Sequence, residues 1–209
     1  PLLLSDLSII KKDGEIIIVD GGSEDKTIDV ANIYGAKVYK SNERNRGLQL
    51  DLGAKHSEGE WLIFLHADTR LTHGWLSKVN SVFMDNKSYI YYFKFRINHK
   101  KIIYRVLEIL VNFRSQYLKQ PYGDQGLLIS RRLYESVGGY KEIPLMEDVD
   151  LIRRIGRNRL REIPVEAITS AVRYKKGGYF SRTIRNILCL SLFCFGISPE
   201  NIKKLYDRP

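Results

Sequence analysis

Residues 61–69 read Trp61-Leu-Ile-Phe-Leu-His-Ala-Asp-Thr69, an apolar run that stops at His66, Ala67 and Asp68. A short continuous apolar run reads as a strand buried on both faces, although periodicity alone does not separate it from a buried helical segment. Gly59 before it and Thr69 at its end favour the strand. In a strand, His66 and Asp68 lie two residues apart and point to the same side. Ligands of open α/β sheets collect beyond the carboxyl ends of the strands, so an acid placed there is a candidate for metal or substrate contact. The plainer alternative is a strand that ends in a solvated Asp before a turn.

The same pattern occurs earlier. Glu15-Ile-Ile-Ile-Val-Asp20 is rich in β-branched residues and ends in an acid, and Gly21-Gly22-Ser23 follows it. The spacing then predicts a helix from about Asp25 to Tyr34, with Ser23 as its N-cap and Gly35 closing it. Glycines let a ligand approach the backbone, and a helix N-terminus favours an anion. The dinucleotide fingerprint G-x-G-x-x-G is absent, and an ordinary tight turn fits the residues as well.

Strand–helix alternation continues along the chain. Leu2 to Ile10 has helical spacing, Lys37 to Tyr39 is a short strand, and Leu48 to His56 and Thr72 to Met84 read as helices. Arg44 and Arg46, in the polar stretch between the second strand and the next helix, suit phosphate neutralisation or a solvated loop. Ile90 to Ile97 alternates as an amphipathic strand. Ile102 to Leu118 has period 3.6, with Ile102, Val106, Ile109, Leu110, Phe113 and Tyr117 forming a wide apolar arc. The first expectation is that this arc packs in the core; the alternative is a surface for a membrane or lipid acceptor. Gly123-Asp124-Gln125-Gly126 is a loop before a short strand, Leu127 to Ile129, and Ser130 caps a helix from Arg131 to Val137. Another helix runs to Ile155 from Pro144-Leu-Met-Glu-Asp-Val-Asp150. Glu147, Asp148 and Asp150 fall in its first turn, where the helix dipole stabilises carboxylates. Crowded carboxylates also raise one another's pKa, which suits a general base near neutral pH. Ile163 to Val165 and Ala167 to Tyr174 form a strand region leading into Arg173-Tyr-Lys-Lys176; Ser181 to Phe195 is an apolar helix, and Asn201 to Tyr206 a short basic tail.

With 209 residues, 44% of them apolar, the chain can bury a substantial core. Its net charge of +10 favours anionic partners. No aromatic-rich basic motif of a nucleic-acid module is visible, so nucleic acid is not expected as a partner. Cys189 and Cys194 form no CxxC and read as reduced thiols. No stretch reaches the ~18 uninterrupted apolar residues of a spanning helix, and no signal peptide is visible. The chain starts at Pro1 without an initiator Met, as a fragment or processed start would. The expectation is a cytoplasmic chain, with the inner face of a membrane as a further option. Two units are expected, a main domain over 1–178 and an apolar helix with a basic tail over 179–209, packed on it.

Taken in order, Glu15-Ile-Ile-Ile-Val-Asp-Gly-Gly-Ser-Glu-Asp-Lys-Thr27, Phe64-Leu-His-Ala-Asp-Thr69, Gly138-Gly-Tyr140 and Met146-Glu-Asp-Val-Asp150 resemble a family 2 glycosyltransferase of the GT-A fold. The resemblance runs from Glu15 to about Tyr174; the His-Ala-Asp-Thr form, the Gly-Asp-Gln-Gly loop and the Pro-Leu-Met-Glu-Asp run are similar to a bacterial and archaeal subfamily of soluble members. It implies a Rossmann-like three-layer α/β/α sandwich with a mixed, mostly parallel sheet, here without the usual first strand before Leu2. It implies inverting transfer of a single sugar from a UDP- or GDP-linked donor to an acceptor hydroxyl, the acceptor being lipid-linked in many such enzymes. By position, Asp148 would be the general base, with Glu147 supporting it or contacting the acceptor. Asp20, with Gly21, Gly22 and Ser23, would contact the nucleotide, as would Arg46 and Arg173. Gly123, Asp124 and Gln125 would form a donor or acceptor loop. Asp68 matches the last acid of the DxD motif and would ligate Mg2+ or Mn2+ on the diphosphate. The first acid of that motif is replaced by His66, a possible second ligand, with His73 a more distant one. The chemistry demands these types: a cation offsets charge on the leaving diphosphate, and a carboxylate base must lie opposite the leaving group. His66 and the missing first strand also motivate a rival of another class, a non-catalytic nucleotide or sugar-phosphate binding module. A third reading is a peripheral membrane protein docking through the helix at 181–195.

Overall fold

The computed structural model describes residues 2–10, 14–84, 87–171 and 179–206, with only the backbone at 179–184 and 187. Helix α1 (Leu2–Leu7) leads to β1 (Ile17–Asp20), α2 (Thr27–Ile33), β2 (Lys37–Lys40), α3 (Arg46–Lys55) and β3 (Trp61–Phe64). Then come β4 (Thr69–Leu71), α4 (Trp75–Phe83), β5 (Ile90–Ile97), α5 (Ile102–Tyr117), β6 (Leu127–Ser130) and α6 (Arg131–Ser136). Helix α7 (Glu147–Ile155), β7 (Leu160–Thr169), α8 (Tyr179–Cys194) and α9 (Pro199–Tyr206) complete the order.

The apolar run that begins at Trp61 forms strand β3. It pairs antiparallel with β6, Trp61 opposite Ser130 and Phe64 opposite Leu127. The five-stranded sheet has the order β3-β6-β5-β7-β4, and β1 and β2 form a separate parallel pair. The fold is α/β with a mixed sheet, as expected, but three of the five described pairings are antiparallel rather than most being parallel. Strand–helix alternation fixes that crossovers exist; it does not fix which gap a strand returns to, or in which sense. β4 is a strand that the sequence did not announce, pairing Thr69–Leu71 with Thr169–Ala167 at the sheet edge.

Strand β7 is one element where two were expected. Its register against β5 steps from Phe93–Ile163 to Lys94–Glu166, leaving Pro164 and Val165 outside the ladder. Proline has no N–H to give to a ladder, so the strand bulges there.

Two core clusters lie around the five-stranded sheet. Leu62, Ile90, Tyr92, Ile129, Leu151 and Leu160 belong to one, and Trp75, Val79, Tyr91, Phe93, Leu128 and Ile163 to the other. Successive residues of β5 alternate between them, as the pleat requires. α8 and α9 pack on the main body through Cys189, Phe193 and Ile202 against Val149 of α7.

Helix α5 overturns the core-packed expectation. Its apolar arc faces out: Ile102, Val106, Ile109, Leu110, Phe113 and Tyr117 are all exposed. The reason lies in β5. β6 pairs only with Ile90–Tyr92, so the rest of that edge of β5 needs partners. Asn112 of α5 accepts from the Phe95 amide (2.9 Å) and donates to the Phe95 carbonyl (3.0 Å), and Glu108 accepts from the Ile97 amide (2.8 Å). The helix is turned so that Glu108 and Asn112 serve a strand edge while Ile103, Tyr104, Leu107 and Val111 pack beside Phe95 and Ile97, which leaves the wide apolar arc outside.

Candidate active site

Helix α7 starts where Met146 adopts a left-handed backbone, φ 69°. A non-glycine residue held there stores strain, a feature that clusters at functional sites. Immediately after it come Glu147 and Asp148, both buried. Asp148 Oδ2 accepts from Arg46 Nη2 at 2.6 Å and from the Gly123 amide at 3.0 Å; Oδ1 accepts from the Tyr140 hydroxyl at 3.1 Å. Arg46 Nε stands 3.1 Å from Glu147 Oε1. Burial pushes the Glu147 carboxyl above its ordinary range and the charge on Asp148 adds to this, while Arg46 pulls it back. Burial works against the charge on Arg46, but the two carboxylates hold its pKa above the usual value.

The sequence placed Arg46 on a diphosphate and did not see that it bridges both carboxylates of α7. It stands at the N-terminus of α3, which Asn45 caps by accepting from the Leu48 amide. Nothing in Arg44-Asn-Arg-Gly47 signals a contact 102 positions away. Tyr140 also reaches Asp148, and the sequence reading gave it no role. Its place is set by Tyr134, whose hydroxyl accepts from the Tyr140 amide (2.9 Å) and donates to Asp51 (2.8 Å). Gly139, at φ +62°, sits where a Cβ would press on Tyr134 and Asp51. The Gly-Gly-Tyr signature was the available clue. Asp150 turns away from the pair to Arg154 (2.8 Å).

Gly123 leaves no room for a side chain: a Cβ there would collide with Arg46 and Asp148. Its neighbours part company. Asp124 stays near the site, with an enclosed Oδ1 that has no hydrogen-bond partner. Burial raises its pKa; Arg114 and Arg46 oppose this, and Asp148 and Asp68 add to it, so these five groups share one field. Gln125 belongs to the scaffold, fully buried, accepting from Ser115 Oγ (2.6 Å) and donating to the Phe93 carbonyl (3.2 Å).

His66, beyond the end of β3, lines a cavity with Arg46, Phe64, Gly123, Tyr140 and Asp148. Strand β3 and the α7 carboxylates therefore do converge. The cavity is about 10 Å³, room for one water at most. A larger, open cavity of about 530 Å³ lies at the other end of α7, beside Arg153, Arg157 and Arg159, and includes none of the candidate residues.

Asp20 closes its own turn. It accepts from the Gly22 amide (3.0 Å), the Ser23 amide (3.0 Å) and the Ser23 hydroxyl. The Ser23 hydroxyl leads in holding its pKa below the ordinary range. Ser23 is thus not the N-cap of α2, which begins only at Thr27, with the Asp25 carboxylate accepting from the Thr27 amide. The amides of Gly22 and Ser23 donate to Asp20, and α2 begins four residues beyond Ser23. Arg44 clamps the same turn from outside, donating to the carbonyls of Gly21 (3.2 Å) and Gly22 (3.0 Å). Arg173 lies outside the described residues, as does the Arg173–Lys176 run.

Among the described residues, no three His, Cys, Asp or Glu side chains come together to hold a metal, so a His66–Asp68–His73 cage does not form. An Asp and a His near one strand end still fit a hard divalent cation that brings its remaining oxygen ligands from a bound diphosphate and water.

The architecture is that of the GT-A glycosyltransferases. The mannosyltransferase PcManGT from Pyrobaculum calidifontis, solved with GDP-Man and Mn2+, superposes with a TM-score of 0.65 at 18% identity, covering 99% of this chain and 64% of that one. S. aureus TarS, solved with UDP, gives 0.62 at 16% identity, covering 81% of this chain and 56% of the other. The family model described as Glycosyl transferase family 2 matches residues 3–137, more than half of the sequence, and the chain belongs to that family. A PGL/p-HBAD biosynthesis glycosyltransferase of Mycobacterium tuberculosis is 37% identical over 65 residues, 28% of this chain and 25% of the relative. The match thus spans about a quarter of that relative's length. Among the described residues no helix is long and apolar enough to cross a membrane.

Proposed function

We propose that the chain transfers one sugar, with inversion, from a nucleoside-diphosphate-sugar donor to an acceptor hydroxyl, with Asp148 as the general base. The observation that carries this reading is the convergence of Arg46, Gly123 and Tyr140 on Asp148, beside the His66 end of β3. In the transfer, the acceptor oxygen bonds to the anomeric carbon as the bond to the diphosphate oxygen breaks, and the acceptor proton passes to Asp148. Oδ2 already accepts two hydrogen bonds, whereas Oδ1 takes only the Tyr140 hydroxyl, so Oδ1 keeps a lone pair for that proton. Glu147 shares the Arg46 guanidinium and keeps it between the two carboxylates.

Asp68, with His66 beside it, would hold Mg2+ or Mn2+ against the diphosphate. When bound, the cation offsets the charge that builds on the leaving group. PcManGT was solved with GDP-Man and Mn2+ and TarS with UDP, which supports a UDP- or GDP-linked donor here. We read the acceptor as lipid-linked, on the chain's net charge of +10 and the outward apolar arc of α5. Asp20 and its turn would shape the nucleotide pocket through the backbone of Gly21–Ser23, and Asp124 would lie beside the donor or acceptor.

The test is Asp148→Asn, assayed for transfer or donor hydrolysis and, by calorimetry, for nucleotide-sugar binding. Turnover should fall by about 10³-fold while donor affinity stays within about threefold. Normal turnover in the variant would remove Asp148 from the role of base. Donor binding by the native chain without transfer or hydrolysis would favour the binding-module reading.

A further inference from the structure

The outward face of α5 is an unusual surface. Ile102, Val106, Ile109, Leu110, Phe113 and Tyr117 are between 47% and 79% exposed. At 100° per residue they fall within one arc about 100° wide, along a helix of 16 residues, about 24 Å long. No polar residue interrupts the arc. The opposite face is fixed in the protein by Tyr104, Glu108, Asn112 and Ser115, so the helix cannot roll to bury it without breaking the bonds to β5.

The charges around the arc have one sign. Between Asn98 and Lys119 the chain carries Lys100, Lys101, Arg105, Arg114 and Lys119; Arg105 is tied to Glu108 and Arg114 lies over the Tyr122 ring, which leaves the three lysines near the two ends of the helix. Its single carboxylate is Glu108, which is buried and bound by Arg105 (2.6 Å) and Arg96 (3.4 Å). Lys100 and Lys101 are exposed at the start of the helix, where long stems let the ammonium groups reach past the apolar arc. An apolar helix face that starts at two exposed lysines, in a segment with no exposed acid between Asn98 and Lys119, matches the interface of an anionic bilayer. A second copy of the chain is the poorer partner: pairing this face with itself sets Lys100 and Lys101 against cations and offers them no carboxylate.

We propose that α5 is a membrane-docking face, lying in the plane of an anionic bilayer with Ile109, Leu110 and Phe113 in the acyl boundary. Five residues separate the helix from the turn that carries Gly123 and Asp124, and its Ser115 anchors Gln125 of that turn. A bilayer on the outer face therefore meets the protein at the element adjoining Asp148. The inference rests on the surface alone and stands whether or not the chain transfers sugar.

The test is co-sedimentation of the full chain with phosphatidylcholine vesicles, alone and with one quarter phosphatidylglycerol. The anionic vesicles should bind at least about tenfold more chain than the neutral ones. Ile109→Ser/Leu110→Ser/Phe113→Ser, with all three positions on the surface, should keep the native melting temperature and donor affinity and lose at least about tenfold in vesicle binding. Phe113→Trp leaves the arc apolar, and the indole emission of that variant should shift to the blue and be quenched by brominated lipid. Native chain that stays in the supernatant overturns the proposal. So does a triple variant that binds as well as the native chain, or a Phe113→Trp variant whose emission brominated lipid does not quench. A native dimer that the triple variant disperses, seen by light scattering, would assign the face to a second copy and also overturn it.

Discussion

Replacing Arg46 by Gln should destabilise the chain in a pH-dependent way. Arg46 holds two buried carboxylates, at 2.6 Å from Asp148 and 3.1 Å from Glu147. Breaking a buried pair from one side typically loses about 3–5 kcal/mol, because the partner charge stays buried. Arg46 itself is 42% exposed, so water already screens part of the interaction, and about 2 kcal/mol is the better figure at pH 8. For a chain of this length that lowers Tm by about 4–8 °C. The pH dependence follows from Glu147, whose pKa stands above its ordinary 4.5 in the fold and is restrained by Arg46. A carboxyl raised in the folded state favours folding below its unfolded pKa, and that contribution is lost as pH rises through the folded value. Removing Arg46 raises it further, so the added loss develops as pH rises above the folded value of the native chain and is larger at pH 8 than at pH 5. Urea denaturation at pH 5 and pH 8 reads both numbers. A loss that is equal at the two pH values, or larger at pH 5, would refute the idea that Arg46 neutralises these carboxylates. Arg46→Lys keeps the charge without the fork and should show a smaller pH dependence.

Asp20→Asn should lose about 1–2 kcal/mol at pH 7, because the hydrogen bonds to the turn lose their charge. The Asp20 pKa is lowered in the fold, so its contribution is present above the unfolded value near 3.8 and lost as pH falls through the folded one; equal losses at pH 7 and pH 3 would count against it. Asn112→Leu leaves the Phe95 amide and carbonyl without partners and should lower stability by about 2–4 kcal/mol, with faster hydrogen exchange at Phe95. A variant that melts with the native chain would show that α5 does not serve the β5 edge. Tyr140→Phe should remove about 1 kcal/mol of stability and leave donor affinity unchanged; weakened donor binding would put Tyr140 in the donor pocket instead of beside the base.

What could be read from the sequence was local and periodic. The apolar runs ending at Asp20 and at His66 became strands β1 and β3, because continuous β-branched and aromatic runs have few other uses. The first turn of α7, the cap at Ser130 and the helix over α5 were legible for similar reasons. What escaped was set by partners far along the chain. Periodicity gave the two faces of α5 correctly, but which face turned inward depended on whether β5 had a free edge, and that depended on where β6 returned. Arg46 looked like a phosphate ligand because its partners, Glu147 and Asp148, lie about a hundred positions away. Ser23 looked like a cap because the demand of Asp20 for donors outweighs that of α2, which starts four residues later.

At Pro164 the strand skips two residues of the ladder and not one. Side chains along a strand repeat every two residues, so β7 leaves the bulge with the alternation it brought in, and Ala167 and Thr169 stay inward. Loss of a single residue at this point would turn everything from Glu166 onward inside out, placing the glutamate in the core and Ala167 in water. Loss of both Pro164 and Val165 would merely straighten the strand and empty the place that Val165 fills. Length can therefore change here only in pairs, and natural or engineered variants of this strand should differ by zero or two residues between Ile163 and Glu166.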